Sequence, residues 1–333
     1  MTAVREPVTG SYVHIPYGGY EYRLFYEEAG EGIPLVCLHT AGTDSREWRH
    51  QLNDTDINGK FRVIALDLPR HGKSIPPIGF EKEDYRLTAK FYSEFVMAFC
   101  EALELDRPVI MGSSMGGNIC LHLALNFEER VRALIAIEAC EYSPGWYISW
   151  LAHPHVHGGE ACATSVFGLM APQSPDEYRW ETWWYYSQGG PGVFKGDLYF
   201  YSVDHDFRGL SEKITGNVPI YLMTGVYDFA CTPEMTAETG KKIRARRRSS
   251  WTTSVTSRCA RTRRRSRSTS CRCSRRSTPA PGSRSERGPD RRADCRTRAG
   301  GGAVPPPLAP ARGPRRRRHE RERGQARWST VTP

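Results

Sequence analysis

The sequence predicts an α/β fold, a mostly parallel sheet with helices on both faces and a helical segment inserted late in the chain. Three observations carry this. Short apolar runs at 34–38, 61–66, 131–137 and 219–224 alternate with stretches of helical spacing, as in sheets covered on both sides. The run 108–111 passes directly into Gly112-Ser113-Ser114-Met115-Gly116 and a helix-like segment at 118–128. Residues 141–213 interrupt the alternation with an aromatic-rich stretch that includes Trp146, Trp150, Trp183 and Trp184.

Taken in order, residues 11–15 and 20–28 alternate aromatic and polar residues around Gly18-Gly19, the pattern of a β-hairpin. The strand at 34–38 runs into His39-Thr40-Ala41-Gly42, and 45–52 reads as a short helix. The strand at 61–66 leads into Asp67-Leu68-Pro69-Arg70-His71-Gly72-Lys73-Ser74. Phe91, Phe95, Val96, Phe99 and Leu103 give 88–103 the apolar spacing of an amphipathic helix. The strand at 219–224 is followed by a loop carrying Asp228, and Pro233 opens a helix. The resulting division is core at 1–140, a helical cap at 141–213, and core again at 214–243.

The stretch around Ser114 points to chemistry. A serine at the apex of a strand–turn–helix sits in a strained backbone conformation with little room beside it. Gly112 and Gly116 supply that room because they lack Cβ. The serine oxygen then projects above the sheet, where the helix N-terminus favours developing negative charge. We read Ser114 as a nucleophile.

Composition divides the chain near residue 243. Residues 1–243 hold 20 Lys and Arg against 32 Asp and Glu, a net of −12, whereas 244–333 hold 27 Arg, no Lys and 5 acids, a net of +22. The second segment has no Ile, Phe, Tyr or Met and a single leucine, Leu308. It cannot bury enough apolar surface to offset the entropy of ordering and is expected to be disordered. The first six cysteines sit mostly in apolar runs without paired spacing, the pattern of buried free thiols in a cytoplasmic protein. No metal site is expected, and Cys271-Arg-Cys273 lacks ligand spacing. No apolar run reaches membrane-spanning length, so no membrane association is expected.

Together, the His39-Thr40-Ala41-Gly42 loop, Asp67-x-Pro69-x-His71-Gly72-x-Ser74, the Ser114 turn and Thr224-Gly225-x-x-Asp228 resemble the α/β-hydrolase superfamily, in particular its small cap-bearing serine hydrolases. The resemblance covers residues 10–243. It implies Ser114 as nucleophile, the backbone N–H of Met115 with that of Thr40 or Ala41 as the oxyanion hole, and no cofactor. It implies Asp228 as the acid that orients a histidine base, with Glu138, at the end of the 131–137 strand, as the rival acid. Asp67, His39 and His71 take structural roles, as does His122 on the helix after the turn. A cap over the strand ends would roof Ser114 with Trp146, Trp150, Trp183 and Trp184. His153, His155 and His157 are expected to face solvent.

The family's histidine follows the last strand, beyond Asp228. Here that region offers only His319. Arg, Ser, Thr, Pro, Ala and Gly without Lys or Ile is what GC-rich DNA gives when read out of frame. Taking the last base of each codon with the first two of the next, 251–254 permit Asp-Asp-Val. Residues 254–262 permit Gly-His-Phe-Pro-Met-Arg-Glu-Asp-Pro. We therefore expect a one-base loss near codons 243–244, with the displaced histidine straddling Val255 and Thr256. Without the last strand, the strand at 219–224 should become an exposed edge, and one sheet face should lose its cover.

The expected function is hydrolysis of a carboxylic ester or lactone with a hydrophobic or aromatic group through an acyl-enzyme, impaired by the lost histidine. The alternative is a C–C bond hydrolase acting on ring-cleavage products. A reading of another class is nonspecific nucleic-acid binding through the arginines of the tail. Stacking aromatics are nearly absent there, so no specific nucleic-acid partner is expected. The oligomeric state is not legible from the sequence.

Overall fold

The computed structural model describes residues 2–153, 155–243 and 254–255. The expectations of disorder at 244–333, of arginine-mediated nucleic-acid binding and of a displaced reading frame fall outside the described residues, apart from 254–255. The described residues lie within one compact unit, 1–266.

The chain opens with a hairpin, β1 (Thr9–Tyr17) and β2 (Tyr20–Ala29), turned at Gly18 and Gly19, both in the left-handed region. Glycine takes that conformation without steric cost. Next come β3 (Ile33–Leu38), the short helices α1 (Arg49–Leu52) and α2 (Thr55–Asn58), β4 (Phe61–Leu66), α3 (Ala89–Ala102), β5 (Val109–Ser113), α4 (Met115–Asn126) and β6 (Ala133–Ile137). Three helices are inserted before the sheet resumes: α5 (Gly158–Leu169), α6 (Asp176–Tyr186) and α7 (Val193–Tyr199). Then follow β7 (Ile220–Thr224), α8 (Pro233–Lys242) and β8 (Ser254–Val255).

These strands form one sheet in the order β1-β2-β4-β3-β5-β6-β7-β8. The first two strand pairings are antiparallel and the rest parallel. Parallel order places the C-terminal ends of β3, β5, β6 and β7 along one edge, where ligands bind in open α/β sheets. The helix at 89–102 forms because Tyr92, Phe95, Val96 and Phe99 share one face, which is buried against the sheet, and the Thr88 hydroxyl caps its start by accepting from Phe91 N–H. Thr232 caps α8 in the same way, with Pro233 at its first position.

One expectation needs correction. The edge at β7 is not bare: β8 pairs in parallel with Met223 and Thr224. The cysteines of 1–243 are all buried, but Cys140 and Cys231, 91 residues apart, meet with their sulfurs 2.7 Å apart. Linear spacing had concealed this pair. Among the described residues, no helix is long and apolar enough to cross a membrane, and no group of His, Cys, Asp or Glu could hold a metal ion.

Candidate active site

Ser114 stands between β5 and α4 with φ 52° and ψ −107°, a conformation non-glycine residues rarely adopt. The surroundings over-determine it. Its N–H donates to Ile137 O at 2.8 Å, and its carbonyl accepts from Asn118 N–H at 2.8 Å. A Cβ at Gly112 would lie 2.0 Å from Gly116 O, and one at Gly116 would lie 2.5 Å from Leu38 O. Both glycines therefore permit backbone approaches that no other residue allows. The Ser114 hydroxyl has no hydrogen-bond partner among the described residues, and the residue borders a cavity of about 690 Å³.

Met115 is the first residue of α4, so its N–H has no intrahelical acceptor. Of the two amides expected to join it, Thr40 N–H is already engaged, donating to Glu47 Oε2 at 2.8 Å. Ala41 N–H, bordering the cavity, has no acceptor among the described residues.

Both candidate acids border the same cavity. Asp228 Oδ1 accepts from the N–H groups of Ala230 and Cys231 at 2.7 and 2.8 Å, and Oδ2 faces the Thr224 hydroxyl at 3.4 Å. Burial raises its carboxyl above the ordinary range against these hydrogen bonds. One oxygen thus shapes the loop and the other is lightly held. Glu138 follows β6 at φ 56°, a second non-glycine residue in the left-handed region, and its N–H donates to Met223 O at 2.6 Å.

The aromatic roof differs from expectation. Trp146 borders the cavity, its indole N–H donating to Ser143 Oγ at 3.0 Å. Trp150, Trp183 and Trp184 are not among the residues lining it. Trp150 and Trp184 are exposed, and Trp183 packs edge-on against Trp180. The reason is helical phase: Tyr178, Thr182 and Tyr186, four residues apart, form the inward face of α6, with Tyr178 and Tyr186 on the cavity. Trp180 and Trp184 fall on the other side.

No described histidine hydrogen-bonds to Ser114. His39 is buried, its Nδ1 2.8 Å from Thr40 O, and its Nε2 accepts from Leu68 N–H. Burial and the neighbouring His71 push it down to about 4. His122 and His205 bond to each other at 2.9 Å, with His205 donating to Cys140 O. His153, His155 and His157 are not buried. His50 borders the cavity, but its Nε2 is held by Glu181 at 3.0 Å.

Two further acids, the half-buried Glu47 and the buried Asp197, escaped the sequence reading. Glu47 lies three residues after Asp44, the spacing of a helix capping box. Instead its Oε2 accepts from Thr40 N–H and the Thr43 hydroxyl, and burial pushes its carboxyl up to about 7 against these bonds. Asp197 on α7 is fully buried. Its Oδ2 accepts from Gly42 N–H at 2.7 Å and lies 2.8 Å from His71 Nε2, while Oδ1 accepts from the Tyr85 hydroxyl at 2.9 Å. Both His71 nitrogens face acceptors, Pro69 O and Asp197. Burial lowers its pKa, but the Asp197 carboxylate and these hydrogen bonds outweigh that and hold it above its ordinary value.

Residues 33–153 match the family described as alpha/beta hydrolase fold. The chain is 32% identical over 140 residues to a 2-hydroxy-6-oxononadienedioate/2-hydroxy-6-oxononatrienedioate hydrolase of Pseudomonas putida, covering 40% of this chain and 47% of that protein. It spans about half the length of the curated relatives it matches. Among solved structures it is similar to the enol-lactonase of Burkholderia xenovorans LB400, with TM-score 0.59, 22% identity, and 70% and 88% of the two chains covered. It is also similar to a thermophilic esterase of Thermogutta terrifontis, with TM-score 0.58, 20% identity, and 70% and 86% covered.

Proposed function

We propose that this chain, which has the α/β-hydrolase fold, is built as a serine hydrolase of carboxylic esters or lactones whose acyl part is uncharged and hydrophobic or aromatic. The observation that carries this reading is Ser114, held in a strained turn with its hydroxyl uncommitted beside a cavity that both candidate acids border. Ser114 Oγ adds to the carbonyl carbon. The N–H groups of Met115 and Ala41 receive the developing oxyanion, each donor contributing on the order of 10²–10³ in rate. The alcohol leaves with a proton, and water resolves the acyl-enzyme. The helices of 141–213 act as the cap, with Trp146, Tyr178 and Tyr186 contacting the apolar part of the substrate.

The proton acceptor belongs to the segment after β7. Val255 pairs with Thr224, four residues before Asp228. A histidine restored at 255–256 would therefore arrive at the sheet end that carries Asp228, which favours Asp228 over Glu138 as its partner. In the chain as it stands the acceptor is missing, and turnover is low.

The C–C hydrolase reading rests on the relative that acts on a dienedioate, a dianion at neutral pH. The described lining of the cavity carries Glu47, Asp54, Glu138 and Asp228 and no Lys or Arg. With Glu47 and Asp228 shifted toward the neutral form, this lining still offers a dicarboxylate no Lys or Arg to pair with, and this supports the ester or lactone. Incubation of the frame-restored chain with a fluorophosphonate and peptide mass mapping should place the adduct on Ser114, and Ser114→Ala should abolish it. Labelling that survives the substitution overturns the assignment. Parallel assays of a neutral nitrophenyl ester and a ring-cleavage dienedioate, on the frame-restored chain, separate the two substrate readings.

A further inference from the structure

The loop 39–43 between β3 and the turn at Ser45–Trp48 is held amide by amide. Thr40 N–H donates to Glu47, and Gly42 N–H donates to Asp197. Between them Ala41 N–H is left without an acceptor among the described residues. We propose that Glu47 and Asp197 are positioning residues that clamp the amides on either side of Ala41, so that its N–H is presented to the oxyanion. This rests on Ser114 as the nucleophile.

The two carboxylates come from different parts of the fold. Glu47 belongs to the core, immediately after the loop. Asp197 comes from α7, 155 residues beyond Gly42. The inserted helices also press on the loop by shape: Gly42 has φ 71°, and a Cβ there would lie 2.8 Å from the Phe194 ring. A Cβ on Gly189 would lie 3.1 Å from Gly42 O. The Asp197 carboxylate has little freedom to turn away, because one oxygen is shared by Gly42 and His71 and the other is taken by Tyr85. A fully buried carboxylate with both oxygens engaged is a rigid anchor. The seating of α7 therefore sets the direction of the Ala41 amide, and the inserted helices become part of the oxyanion hole without touching the oxyanion.

Phenylboronic acid tests this without turnover. The Ser114 oxygen gives an electron pair to boron, the serine proton passes to buffer, and the resulting tetrahedral anion occupies the oxyanion hole. Benzyl alcohol, of similar size but unable to form the adduct, reports on the cavity alone. Both are titrated into the full chain by tryptophan fluorescence. Asp197→Ala and Glu47→Ala should weaken the boronate by about tenfold or more, the scale of a lost oxyanion donor, and Asp197→Ala, which lies off the cavity lining, should leave benzyl alcohol within about twofold. Glu47→Gln keeps an acceptor for Thr40 N–H and should restore boronate binding. Unchanged boronate binding in both alanine variants overturns the proposal, as does equal weakening of the two ligands in Asp197→Ala. Boronate binding that survives Ser114→Ala overturns the nucleophile instead. Should an alanine variant fail to fold, amide hydrogen exchange of the unsubstituted chain decides. Thr40 and Gly42 should exchange at least about ten times more slowly than Ala41, whose N–H makes no bond among the described residues, and equal protection of all three overturns the clamp.

Discussion

Gly112→Ala is the substitution on which the description of the active-site turn stands or falls. The added methyl would sit 2.0 Å from Gly116 O, 2.2 Å from Gly116 C and 2.8 Å from its Cα, where ordinary contact begins at 3.4 Å. Relief requires a shift of well over an ångström in backbone, not in a flexible side chain. That backbone is pinned from the other side, because Gly116 itself packs against Leu38 O and the first turn of α4 is tied by Asn118 N–H to Ser114 O. Overpacking typically costs about 1–3 kcal/mol and more where nothing can yield, so about 3 kcal/mol or more is expected here. Gly168→Ala on α5 is the control. Its Cβ would meet nothing within 4 Å, and a helical glycine replaced by alanine should gain up to about 1 kcal/mol. Urea unfolding followed by tryptophan fluorescence measures both, and fluorophosphonate labelling of the frame-restored chain reports whether Ser114 remains presented. A Gly112→Ala chain that unfolds at the same urea concentration as the parent, with labelling intact, would refute the tight turn.

Acid should destabilise the fold from about pH 6.5 downward through His39, His122 and His205, whereas His71, held above its ordinary value, acts in the opposite sense. His39 and His205 are held down to about 4 and His122 to about 3, all mainly by burial, so the unfolded chain binds protons first as pH falls below 6.5. Asp67, raised to about 6 by burial and Asp44, and Glu47, raised to about 7, act in the opposite sense, binding protons in the folded state first between pH 7 and the ordinary carboxylate range. His205→Gln, retaining a donor for Cys140 O, should make the loss between pH 7 and pH 5 smaller by roughly 2 kcal/mol, measured by urea unfolding at both pH values; an unchanged loss counts against a neutral buried His205. Trp146→Ala should alter KM for aryl esters in the frame-restored enzyme while Trp184→Ala, 59% exposed, should not; equal effects would mean that the cavity lining is misassigned. Sequencing codons 240–260 should reveal the lost base, and restoring the frame should raise ester hydrolysis by about 10³-fold or more; an intact frame with fast turnover in the present chain would overturn both the frame displacement and the missing base.

The parts legible in the sequence are those whose physics is local. The Gly112-x-Ser114-x-Gly116 turn announces itself because its steric demands fall on adjacent residues. The hairpin at Gly18-Gly19 and the helix at 89–102 are read from periodicity for the same reason. The tryptophans were misread because composition gives no helical phase. Only once α6 is known to start at Asp176 do Tyr178 and Tyr186 turn inward and Trp184 outward. Glu47 and Asp197 were illegible for a different reason. A single acid on a short helix is indistinguishable from a solvated one until the fold brings it against Thr40 or Gly42. The same holds for Cys140 and Cys231.

Parallel topology explains how the proposed site is assembled. On that proposal each strand end delivers one component to the cavity: β3 the Ala41 amide, β5 Ser114, β6 Glu138, and β7 Asp228. The next strand in the sheet order, β8, is the remaining station beside Asp228, and its register against Met223 and Thr224 places 254–255 there. The residues written at that station are Ser254 and Val255, neither of which can accept a proton at neutral pH. Ser114, its glycines and the two clamped amides are preorganised whether or not a base is present, because the contacts that hold them come from β3, α4, α7 and the turn at Ser45–Trp48. The oxyanion site should therefore persist in a chain that turns over slowly. Binding of a tetrahedral anion and hydrolysis then become separable properties of this protein.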